Sequence, residues 1–394
     1  MINALGNYIG NSTPTQPIII NGFIQNVNIN DETAYLIINY ESGNANPLNG
    51  TGSFQFDSPK EIEYFIVAAG GDGGRASTSF SSPIQCDFGA GGGAGGISSG
   101  SLLLEKDKEY TAIAASSAAV GSKGANSFFL GPTIPTKSAI GGGNGGNVFL
   151  NVAPGEGTGS NGGAGGGGGY ASRNDFARPG GIALQNSQGV GDYLFPTAAL
   201  NGTASVGFGH YTEYGTSNGQ VSGSAYATLV NSNRALYSFL SGSYVDIALP
   251  GGGMGASGNT QAYKNFGTAS APIATVGTVD YFGINYNPQG GDGILSSITG
   301  TPTYYAGGGA GLAAAVNNET SPNLQFAPNA LWSSGSIGGL GGGGSSTGSI
   351  GSGGNAGNHN GVDGLGGGAG PGGTGGSGVV IIRYSRNQQD LIRS

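Results

Sequence analysis

The sequence predicts an all-β protein: a β-sandwich interrupted by a long glycine-rich excursion packed as polyproline-II-type helices. Three observations carry this reading. Of 394 residues, 85 are Gly, about three times the usual share of ~7%. Short apolar and aromatic runs bounded by turn residues lie between the Gly blocks, as strands do. Helical periodicity is lacking almost everywhere, the best candidate being Gly311 to Val316, too short to be stable alone.

Residues 1–60 are the least Gly-rich part. Pro17 to Ile29 alternates loosely around Phe23, Ile24, Val27 and Ile29, and Ala34 to Tyr40 is a β-branched and aromatic run. The Asn- and Gly-rich break from Ser42 to Gly50 then predicts a turn or linker, so 1–50 is expected to be a separate N-terminal β module for attachment or assembly. A sandwich over 51–150 plus 376–386 follows. Phe54-Gln55-Phe56 alternates, and Ile62 to Ala69 is a continuous apolar run, which suits a strand buried on both faces. Ser101 to Leu104, Glu109 to Ala115, Asn126 to Leu130 and Gly378 to Tyr384 complete the set. Because that last strand returns from far along the chain, 151–375 is an excursion from one sandwich, and 387–394 is a tail.

Gly runs recur at 89–96, 141–146, 155–169, 250–256, 289–293, 306–311, 335–357 and 361–378 and alternate with ordinary text. Each ordered Gly loses roughly 0.5–1 kcal/mol more backbone entropy than Ala, so Gly is retained where a Cβ atom would collide. Extended helices with three residues per turn have no internal hydrogen bonds, and bundling them side by side pairs their N–H and C=O groups. The same text also reads as mobile linker, as Gly/Ser-rich segments often do.

Composition and charge exclude several classes. Gly comes in clumps rather than at every third position, and Pro numbers only 17, so the chain is not collagen. The 18 Tyr and 16 Phe argue against wholesale disorder. A net charge of −8 argues against nucleic acid as a partner. Cys86 is the single cysteine and forbids an intrachain disulfide. The N-terminus lacks the basic and apolar regions of a secretion signal, and no stretch is long enough to insert in a membrane.

Matches to catalytic motifs are weak. Gly96-Ile97-Ser98-Ser99-Gly100 has the letters of a nucleophile elbow but no following helix. Gly91 to Gly96 has the letters of a dinucleotide fingerprint, again without an opening helix. His210 and His359 are the two histidines, and both read as loop residues, with stacking against a ligand an alternative for His210. Scarce Cys and His argue against a clustered metal site. Asp72, Asp292 and Asp363 stand in Asp-Gly turns, read as turn formers with φ > 0 ahead of Ca²⁺ ligands. No catalytic residue and no cofactor is expected.

Segment 170–249 is the best candidate binding surface, since Tyr gives large contact area with few rotatable bonds and a polar tip. Tyr193, Phe195, His210, Tyr211, Tyr214, Tyr226 and Tyr237 are the candidate receptor-contact residues. The same aromatics would equally cover the Gly bundle or pack a subunit interface.

Three passages carry a resemblance: Ile66-Val67-Ala68-Ala69-Gly70-Gly71-Asp72-Gly73-Gly74-Arg75-Ala76, the run Gly89 to Gly96, and the ending Gly375-Gly376-Ser377-Gly378-Val379-Val380-Ile381-Ile382-Arg383-Tyr384. They resemble the glycine-rich domains of phage tail-fibre and large-virus structural proteins. The first also resembles the glycine-rich region of anaplastic-lymphoma-kinase-type receptors, and the alternating texture is similar to tail-fibre-tip adhesins of T-even-like phages. The resemblance implies a jelly-roll or TNF-like sandwich with inserted polyglycine II helices and long aromatic-rich loops. It further implies a non-enzymatic virion protein, a tail fibre, spike or tip component that presents loops for host attachment. The alternative is a capsid or decoration protein stabilising the shell. Expected partners are other virion proteins through the N-terminal module, further copies in a homo-oligomer with a trimer favoured, and a host surface glycan or protein.

Overall fold

The computed structural model describes residues 16–22, 24–30, 32–41, 43–46, 48–74, 90–117, 121–146, 159–167, 181, 184–185, 243–248, 259–264, 284–317, 337–345 and 359–386. Their regular structure is all strand, with no helix among the described residues. Ten strands build two five-stranded antiparallel sheets. One sheet runs β1 (Ile18–Gly22), β4 (Thr51–Gln55), β7 (Tyr110–Ile113), β8 (Ser127–Gly131), β9 (Ile134–Ala139). The other runs β2 (Gln25–Asn28), β3 (Thr33–Asn39), β16 (Val379–Ser385), β5 (Lys60–Val67), β6 (Ile97–Leu104).

The sheets close on an aromatic core. Alternation along β3 turns Ala34, Leu36 and Ile38 inward, and β5 and β16 contribute Ile62, Tyr64, Ile66, Val380, Ile382 and Tyr384. Opposite them lie Phe54, Phe56, Tyr110 and Phe129. Phe54 stacks on Phe129 at 6.2 Å, and Phe56 meets Tyr384 edge-on at 5.3 Å between ring centroids. Burial turns the Tyr110 hydroxyl toward partners: it accepts from Glu105 N at 2.8 Å and bonds Thr133 Oγ1 at 2.7 Å.

The continuous apolar run at Ile62 to Ala69 has the expected cause. The second face of β5 and β16, with Phe65, Val67, Val379 and Ile381, is buried as well, against Ala94, Ala164, Ile298, Tyr305 and Ala306 of the glycine-rich region. Phe65 and Tyr305 meet edge-on at 5.1 Å.

The structure corrects the sequence reading in places. The strands of 18–39 do not form a unit apart: β1 pairs with β4, and β3 pairs along its length with β16, from Asn39 opposite Val379 to Thr33 opposite Ser385. The Asn-rich break, read as a turn or linker, is a turn, in which Asn49 Oδ1 accepts from Glu41 N and Asn49 Nδ2 donates to Glu41 O. Gly311 to Val316 is not helical either, since β15 (Leu312–Asn317) pairs with β10 (Ser243–Ala248). Sequence reading also missed β9, which the Pro135 in its sequence conceals; at a sheet edge a missing N–H is tolerated. The excursion also holds β11 (Asn259–Lys264) paired with β12 (Ile284–Gln289), and the hairpin β13 (Ile294–Ser296) with β14 (Thr303–Tyr305).

Beyond β5 the chain continues as 68–74, where successive N–H groups bond different neighbours. Ala68, Gly71 and Gly74 donate to the carbonyls of Gly96, Gly93 and Ala90; Ala69 and Asp72 donate to Ala125 and Ser122; Gly70 and Gly73 donate to Gly376 and Gly373. Every third residue thus addresses the same neighbour. Segment 90–96 repeats the rule, with Ala90, Gly93 and Gly96 donating to Gly146, Gly143 and Ile140, and Gly92 and Gly95 to Ala369 and Gly366. The result is a lattice of extended segments bonded side to side. A methyl group at Gly71 would fall on the carbonyl oxygen of Gly143, and one at Gly92 on that of Gly71.

Candidate functional site

The lattice has two distinct ends. At the first, segments 68–74, 90–96, 140–146 and 373–378 are continuous with β5, β6, β9 and β16, so the sandwich strands themselves become lattice segments. Ala68 N donates to Gly96 O at 3.0 Å and Gly96 N to Ile140 O at 2.7 Å at this level.

At the opposite end the chain leaves and re-enters the described region repeatedly. Gly74 N donates to Ala90 O at 2.8 Å, Ala90 N to Gly146 O at 3.2 Å and Gly146 N to Gly167 O at 2.8 Å. Gly74, Gly146 and Gly167, the last described residues of their segments, therefore end at one level with Ala90, where the chain re-enters. Gly181 N donates to Gly166 O at 2.8 Å, and Gly370 N to His359 O at 2.7 Å, so the re-entry points Gly181 and His359 belong to this end as well. Strand, lattice and exits follow in that order because each segment is extended and nearly as long as its neighbours. This far end is the candidate functional surface.

Inside the lattice, side-chain oxygens take the N–H groups that no carbonyl reaches. Asp72 is fully buried, and its Oδ1 accepts from Gly375 N at 2.9 Å while Oδ2 accepts from Gly121 N. Asp292 accepts from Leu340 N at 2.8 Å, and Asp363 from Ser377 N at 2.8 Å. Each of the three Asp residues thus bonds backbone on another segment. Only Gly364 of the glycines that follow them has positive φ, at 76°, so a positive-φ turn explains Asp363 and not Asp72 or Asp292. No group of three metal-ligating side chains occurs among the described residues. Ser127 bridges sandwich and lattice: its Oγ donates to Val67 O at 2.7 Å and accepts from Ala115 N at 2.9 Å. Sequence reading missed Ser127, Asn126 and Gln185 as caps of this kind, because a polar residue beside a Gly run looks like any other loop residue.

The sequence-derived contact candidates Tyr193, Phe195, His210, Tyr211, Tyr214, Tyr226 and Tyr237 lie outside the described residues, as does Cys86. The chain leads toward them from Gln185, whose Oε1 accepts from Ile140 N at 2.8 Å, at the sandwich end of the lattice. It is described again at β10, whose partner β15 follows directly on the lattice segment 306–311.

Gly96 to Gly100 leads into and occupies the start of β6, with Ser98 and Ser99 buried in mid-strand, so the elbow's strand-to-helix turn is missing at this position. Gly91 to Gly96 is lattice followed by the same strand. His359 contributes its carbonyl to the lattice, and its Nδ1 has no hydrogen-bond partner among the described residues. No known protein family, curated protein or solved structure matches the chain.

Proposed function

We propose that the chain is a virion structural protein of the tail-fibre, spike or tip class. In this reading a jelly-roll-like sandwich anchors a bundle of polyglycine II helices, and the bundle's far end displays the intervening segments to a host surface. The observation that carries it is the common level of the exits at Gly74, Gly146 and Gly167 and the re-entries at Ala90, Gly181 and His359. A rigid scaffold with variable segments at one end is the arrangement that binding loops use elsewhere. Hydrogen bonding with a period of three supports the polyglycine II assignment, and the adjacency of β3 with β16 supports a jelly-roll-like path. The aromatic segment 182–249 supplies the side chains suited to contact a glycan or protein.

The test is made on particles. Replacing 75–89 and 147–158 by short Gly-Ser links, and separately replacing 186–242 by a short Gly-Ser link, should leave incorporation intact and lower adsorption to the host. Unchanged adsorption in both variants at equal incorporation would reject host attachment. Copy number separates this role from a shell protein, since a fibre component is present in a few to tens of copies and a decoration protein in hundreds.

A further inference from the structure

Among the described residues, the edge strands of the sandwich are β1 and β9 in one sheet and β2 and β6 in the other. An edge strand offers unpaired N–H and C=O groups, and soluble proteins blunt such edges with charge, Pro, short length or cover. β6 and β9 lie against each other along one side of the sandwich. There β9 carries Pro135 and Lys137, and β6 runs into the charged turn Glu105-Lys106-Asp107-Lys108. On the other side β2 is short and polar, reading Gln25-Asn26-Val27-Asn28.

β1 is preceded by Pro17 and its register against β4 shifts between Ile19 and Asn21, but it carries no charge and its side chains from Ile18 to Ile20 are apolar. Ile18, Ile19 and Ile20 are 47%, 41% and 42% exposed. Being consecutive in a strand, they place apolar surface on both of its faces. The surrounding sequence is equally free of charge: no charged side chain precedes Asp31, although the whole chain carries a net −8.

We propose that β1 pairs antiparallel with β1 of a second copy, joining two five-stranded sheets across a two-fold axis. Charge selects this occupant. Two like-charged copies repel each other, and repulsion is least where the charge-free stretch of one meets that of the other. A charged partner would find no ion pair at β1, whereas a second copy brings the same uncharged isoleucines, as a two-fold contact requires. Ile against Ile across antiparallel strands is a favourable pair. A strand pair this short buries less than a standard interface, so the dimer is weak and dilution dissociates it.

Sedimentation velocity on the full chain over a wide dilution series should show a reversible monomer–dimer equilibrium. Ile19→Lys should weaken it at least about tenfold, on the order of 1.4 kcal/mol, with an unchanged melting temperature. A second readout does not depend on that variant folding. In a Cys86→Ser background, Ile20→Cys at the strand centre should cross-link to its own counterpart under diamide, and Leu103→Cys, 55% exposed on β6, should not. A monomer at every concentration, as when residues 1–15 of the same chain cover the edge, would overturn the pairing. So would a trimer, or cross-linking at position 103 as fast as at position 20.

Discussion

Glycines in this chain differ in what they hold, and substitution should reveal it. At Gly71 a methyl group would strike the carbonyl of Gly143 inside the lattice, where backbone cannot yield without breaking further bonds. Gly71→Ala should cost about 3 kcal/mol or more, as overpacking of a closed interior does. Gly121 has φ of 78° and nothing within 4 Å of a built Cβ. Gly121→Ala should cost only about 1–2 kcal/mol, the left-handed penalty alone. Denaturant titration of the two variants distinguishes them. Asp72→Asn sets an amide against one of two backbone donors and should destabilise by about 1–3 kcal/mol. Two tyrosines set the alkaline limit: burial raises Tyr305 and Tyr384 above the ordinary 10.0, outweighing hydrogen bonds that act the other way. The unfolded tyrosine ionises first as pH rises, so the unfolded state loses protons that the native state keeps. Their contribution is whole below pH 10 and is lost as pH climbs through the raised values. Melting temperature should therefore fall above pH 10, and less steeply for Tyr384→Phe.

Among the elements, strands with one clear pattern were legible and the edge strand β9 was not. β5 and β16 announce themselves as continuous apolar runs because both faces are buried, one against the sandwich and one against the glycine-rich region. β9 did not, since Pro135 and Thr136 are exposed at an edge where packing imposes little. Glycine text left two readings open, bonded segments or mobile linkers, because Gly has no side chain to record its neighbours. Backbone hydrogen bonds decide between them for the described segments. Amide exchange at 68–74, 90–96 and 141–146 should consequently be as slow as in β5 and β16, and far slower than at Gly43, whose N–H is outside any described bond. Fast exchange throughout these three segments would contradict the lattice.

For the whole molecule, the last described strand is the one the fold cannot lose. β16 sits between β3 and β5, with Ile381 opposite both Ile37 and Phe65. Ending the chain at Gly378 should abolish the cooperative melt and the near-UV dichroism of the aromatic core, since it opens the centre of a sheet and exposes two apolar faces. Ending it at Arg386 should leave both. Sequence alone determined the all-β class, the inward faces of the strands and the return of the closing run to one sandwich, because side-chain pattern and turn chemistry are local properties. Tertiary structure decided what glycine cannot encode: which segment bonds which, that 18–39 belongs to the sandwich, and that several exits share one end of the lattice. Those depend on carbonyl and amide groups common to every residue, so only their placement in space tells one neighbour from another.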